Sequence, residues 1–116
     1  MRIKMSNMVS VFEFGATGTT VKVPSDVNGW LKQMIVDVTG ITTQRAIITI
    51  VDPMGYIVFT SASCPASTIT RIGDTITAAE LGQIPLGEWP WYLQCTLSGN
   101  AGGIGGNVTV VSYFSL

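Results

Sequence analysis

Short runs of β-branched and aromatic residues, bounded by Gly, Pro, Asn and Ser, recur along this 116-residue chain. They predict strands at 8–14 (MVSVFEF), 19–23 (TTVKV), 31–38 (LKQMIVDV), 44–51 (QRAIITIV), 56–61 (YIVFTS), 68–72 (TITRI), 89–97 (WPWYLQCTL) and 107–114 (NVTVVSYF). Within them the apolar positions fall at every second residue, the period of a strand with one face in a core. In 89–97, Trp89, Trp91, Leu93, Cys95 and Leu97 share one face, against Pro90, Tyr92, Gln94 and Thr96. In 31–38, Met34, Val36 and Val38 oppose Gln33, Ile35 and Asp37. Both faces of 44–51 are apolar, which makes it a central strand or one whose outer face a partner covers.

Between two of these runs stands "VDPMGYI" (51–57). Asp52, Pro53 and Gly55 occupy the first, second and fourth positions preferred in a type I turn, so 44–51 and 56–61 form a hairpin. One helical signal competes. In "TAAELG" (77–82), Thr77 and Glu80 have capping-box spacing and Gly82 suits a helix end, but Pro85 limits the element to about one turn. The predicted fold is all-β: an antiparallel two-sheet sandwich or jelly roll with at most one short helical turn. Residues 9–116 form its single domain. Residues 1–8, with Met1, Met5 and Met8, are a candidate flexible arm that orders on binding a partner.

Charge changes the picture most. Only 11% of residues are charged and the net charge is −1, against about 25% charged in an ordinary soluble domain. Fourteen Thr and nine Ser take much of the surface role instead. A surface with few hydrated ions costs little to desolvate and matches the charge-depleted cores of interfaces. The composition therefore points to a subunit of an assembly. The six cations are scattered, so a nucleic-acid partner is not expected. No apolar run reaches the length of a membrane helix. Asn7, Ser10 and Glu13 break the apolar segment behind Arg2 and Lys4, so no secretory leader is expected. Cys64 and Cys95 are read as buried free thiols.

The residues that carry chemistry elsewhere are missing or misplaced. The chain has no histidine, which removes His-based triads and most transition-metal sites. Its seven carboxylates show no motif-like pairing, so no enzymatic activity, cofactor or metal is expected. "PSDVNGW" (24–30) supplies only two ligand side chains, Asp26 and Asn28, where a calcium site needs six or more oxygens, and reads as a turn. "SGNAGGIGG" (98–106) has neither nucleotide-binding spacing nor a following helix, and is a connector between strands. Its Gly102, Gly103, Ile104, Gly105 and Gly106 are candidate contacts, because glycine permits close approach of a neighbouring chain. Trp30, at a strand entrance, is a candidate partner contact. It is also the best residue for the alternative reading, a carbohydrate-binding β-sandwich module.

In order and texture, "LKQMIVDV", "AIITIVDPMGYIVF" and "LQCTLSGNAGGIGGNVTVVSYF" resemble small β-sandwich proteins of tailed-bacteriophage structural gene clusters. The likeness covers residues 19–115. The chain is similar in size to the jelly-roll decoration, or cement, proteins of phage heads. That resemblance implies a virion component on the capsid surface, made in the host cytoplasm. It would bind the major capsid protein, staple neighbouring subunits, and form a dimer or trimer.

Overall fold

The computed structural model describes residues 5–15, 18–25, 29–72, 85–86, 91–99 and 105–115. The alternating runs become nine strands: β1 Met5–Phe14, β2 Thr20–Pro24, β3 Gly29–Asp37, β4 Ala46–Val51, β5 Ile57–Thr60, β6 Ile69–Ile72, β7 Pro85–Leu86, β8 Tyr92–Leu97 and β9 Gly106–Ser115. Among the described residues there is no helix. The helical turn expected at 77–82 lies outside them, as do Trp89 and Pro90.

Two antiparallel sheets face each other. One runs β1-β9-β3-β6, with β7 paired to the start of β3; the other runs β2-β8-β4-β5. The chain acts as two long folded arms. In one, β1 followed by β2 lies along β9 and β8; in the other, β3 followed by β4 lies along β6 and β5. Pairing of β9 with β3 and of β8 with β4 joins the arms. This winding is a jelly roll.

The inner faces hold the predicted apolar sets. Met34, Val36 and Val38 are fully buried, as are Leu93 and Cys95, with Leu97 nearly so. Ala46, Ile48 and Ile50 meet them from β4, and Phe12, Val108 and Val110 from β1 and β9. Burying a Leu, Ile or Phe side chain contributes about 1.5–3 kcal/mol, so these faces hold the two sheets together. β4 is central, as its two apolar faces predicted: Thr49 and Val51 on its outer side are also buried.

The expected hairpin is present. Gly55 N donates to Asp52 O at 3.0 Å, the i to i+3 bond of the turn. The Asp52 carboxylate accepts from Met54 N at 3.0 Å and Tyr56 N at 2.9 Å. The N-terminal boundary differs from expectation. Residues 5–8 are not an arm but the start of β1, paired with Ser115–Ser112, and Met8 packs in the core. A ten-residue ladder with β9 outweighs the freedom of a chain end. The strand expected to run through Val38 ends at Asp37. There Val38 N donates to Thr68 O, and Val38 O accepts from Ile41 N, opening a turn.

Candidate functional site

Among the described residues five strands lie at the sheet edges, and four carry a charge or a proline: β1 has Glu13, β2 has Lys22 and Pro24, β6 has Arg71 and β7 has Pro85. Such residues discourage edge-to-edge pairing. β5 (IVFT) has neither. It carries a bulge instead, since Ile50 pairs with Phe59 while Val51 pairs with Ile57. At this edge the apolar side chains face solvent. Met54 is 80% exposed, Tyr56 70% and Ile57 61%, with Val58 also exposed. Two backbone bonds to Asp52 hold the turn beneath Met54 and Tyr56, so their presentation is set before any partner arrives.

The outer face of the same sheet continues this surface. Pro24, Tyr92, Val51 and Ile57 follow one another across β2, β8, β4 and β5. The Lys22 ammonium lies 5.7 Å from the Tyr92 ring centre, a cation–π distance. Sequence reading missed Met54, Tyr56, Ile57 and Val58 as surface residues. The signal was the unbroken apolar run from Tyr56 to Phe59, which alternation alone assigns to no single face.

At the opposite end of the sandwich the connections are hydroxyl-rich, and their groups bond one another. Ser98 Oγ donates to Gln44 Oε1 at 2.8 Å and accepts from Arg45 N at 2.9 Å. Thr68 Oγ1 donates to Pro65 O at 2.7 Å. Ser67, in the left-handed region at φ 59°, donates its amide to Ile41 O at 2.9 Å. Asp37 accepts from both the amide and the hydroxyl of Thr39, and these bonds hold its carboxyl below the usual carboxylate range. These contacts make a knit end wall.

The sequence-predicted contact residues that are described do not converge. Gly105 and Gly106 lie at the knit end, and their glycine character answers to the chain's own backbone. Gly105 has φ +77°, and a Cβ there would meet the Phe14 carbonyl. A Cβ on Gly106 would meet the Gly40 carbonyl and Ile41 Cδ1. Trp30, beside Pro85 and Ser115, and Met5, opposite Ser115, lie toward the other end. Met8 is interior. Met1, Gly102, Gly103 and Ile104 lie outside the described residues.

Both cysteines are buried free thiols, as read from the sequence. Burial pushes the Cys95 thiol up to about 12, the nearby Cys64 adding to the rise, and burial also raises Cys64. A thiol held protonated and away from solvent is a packing group, not a nucleophile. Among the described residues, no three His, Cys, Asp or Glu side chains gather as metal ligands.

No family model matches the chain, and no curated protein sequence does. Among solved structures, it is similar to chains of infectious bursal disease virus. For the Gx strain the identity is 15% and the TM-score 0.37, over 100% of this chain and 37% of that one. For the VP2 subviral particle the values are 14% and 0.41, over 96% and 32%. For the Gt strain they are 13% and 0.38, over 99% and 38%. The chain thus spans about a third of the length of the virus chains it matches. The likeness is remote.

Proposed function

We propose that the chain is a structural virion protein, working as a decoration protein that binds the major capsid protein of a tailed-phage head and stabilises subunit seams. The observation that carries this reading is the uncharged edge β5 with its preformed hairpin. Four large apolar side chains stand exposed there, in a chain with 11% charged residues. Apolar area removed from water contributes about 25 cal/mol per Å², and few ions need stripping in the process. Repetition over a lattice turns modest single-site affinity into avidity. An edge strand also offers backbone donors and acceptors to an extended segment of a partner. The mechanism is adhesion and involves no bond-making step.

The carbohydrate-binding alternative needs exposed aromatic platforms. Trp91 packs against the core, and the exposed Tyr56 is flanked along the chain by the exposed Met54, Ile57 and Val58. That arrangement favours a protein partner.

The test is co-sedimentation of the purified protein with shells of the major capsid protein encoded in the same gene cluster. Saturable binding, lost in Met54→Lys and Tyr56→Lys variants that keep the wild-type circular dichroism, is the expected result. Absence of binding to shells, or binding indifferent to both substitutions, overturns the reading.

A further inference from the structure

The inner side of the β1–β9 seam carries two serines in an otherwise apolar core. Ser10 is 2% exposed and Ser112 fully buried, and neither Oγ has a hydrogen-bond partner among the described residues. Ser10 lies opposite Val110 and Ser112 opposite Met8, so the serines are diagonal neighbours on one face of adjacent strands. Beyond them, β3 sets Val36 opposite Val110 and Met34 opposite Ser112. The hydroxyls thus sit among Met8, Met34, Val36 and Val110, all core residues.

Buried hydroxyls in native proteins are almost always bonded, because an unpaired one keeps the full cost of its desolvation. Diagonal neighbours on paired strands have Cβ atoms up to about 7–8 Å apart. At such a separation two short serine side chains do not reach each other, yet each reaches a small molecule set between them. The neighbouring apolar side chains offer no competing donor.

We propose that Ser10 and Ser112 form an internal hydration site that holds one water, bonded to both hydroxyls. The chemistry selects that ligand. An apolar molecule would leave both hydroxyls unpaired, whereas a water can both donate to and accept from them. The site also opposes slippage of β1 in one direction. A slip by one residue drives Asn7 and Glu13 into the core. A slip by two that sets Ser10 opposite Val108 restores the apolar face but separates the serine pair, which the bridging water opposes; a slip by two the other way sets Ser10 opposite Ser112.

The experiment is a double-mutant cycle of Ser10→Ala, Ser112→Ala and the double variant in urea, beside water–protein NMR cross-peaks to the Ser10 and Ser112 region. With a bridging water, each single substitution lowers the folding equilibrium constant by roughly fivefold. The double variant loses much less than the product of the two, and the water cross-peaks vanish in each. Single substitutions that raise stability, with effects that multiply independently, would show two unpaired hydroxyls and overturn the site. So would a wild-type protein with no long-lived water at the seam.

Discussion

Replacing Gly106 with alanine tests the packing of the knit end directly. Gly106 opens β9 opposite Phe14, and a Cβ there would meet the Gly40 carbonyl and the Ile41 methyl. The contact is reciprocal, since a Cβ on Gly40 would meet both the side chain and the carbonyl of Asn107. A flexible side chain could swing aside; a backbone carbonyl at a turn moves only with its strand. Overpacking of this kind costs typically 1–3 kcal/mol. The smaller entropy of the unfolded alanine chain offsets roughly 0.4–1 kcal/mol of that. The net expectation is a loss of about 1–2 kcal/mol, read as a fall in urea midpoint of about 0.5–1 M at a mid-range m-value of about 2 kcal/mol/M. Two other glycines calibrate the assay. Gly55 has φ +92° and open space around it, so alanine there meets only the left-handed penalty of about 1–2 kcal/mol. Gly18 has neither a positive φ nor a neighbour within 4 Å, so Gly18→Ala raises the midpoint. If Gly106→Ala unfolds at or above the wild-type midpoint, the close approach of Gly40 and Gly106 is not what glycine serves here.

Further outcomes follow from the core and the titrating groups. Ile50→Ala, at a fully buried position facing Leu93 across β4 and β8, costs about 2–5 kcal/mol by chemical denaturation, since the removed side chain leaves a cavity. The thiols make stability fall at high pH. Their folded pKa values lie above the unfolded value, so their contribution is complete below about pH 8.5 and is lost as pH rises toward 12; a Cys64→Ala/Cys95→Ala variant, compared across that window, shows a shallower decline. Asp37 acts in the opposite sense. Its folded pKa is depressed, so its contribution is present above about pH 4 and is lost as pH falls below that, and Thr39→Val flattens this acid limb of the stability profile. At pH 8 a thiol-specific chromogenic reagent reacts with neither cysteine until the protein is unfolded; prompt labelling of the native protein would contradict their burial.

Much of the fold was legible because period-two alternation maps directly onto the faces of a sheet. Leu93, Cys95 and Leu97 were assigned together and lie together in the core; so do Met34, Val36 and Val38. The Asp52–Pro53–Gly55 turn was legible because its residues act locally, through a carboxylate that bonds amides two and four residues on. The contact surface was much less so. The glycine loop drew attention as a place for another chain, and its described members, Gly105 and Gly106, turn out to accommodate the protein's own carbonyls. Composition marked the arm at Met8 as free, yet a ladder from the far end of the chain recruits it.

What the sequence determined by itself, then, is the set of strands, their inner faces and the nearest-neighbour hairpin. Each of these depends on residues within a few positions of one another. Which strand lies beside which is decided between residues up to about a hundred positions apart, as where Met5 meets Ser115. Only that pairing leaves β5 at an edge, so that Ile57 and Val58 face solvent while the equally apolar β4 is covered on both sides. Only that pairing brings Ser10 and Ser112 together in the core. Strand propensity is a property of short stretches. Edge and centre, exposure and burial, belong to the closed sandwich, where each sheet's partner strands are chosen by the total area the two inner faces remove from water.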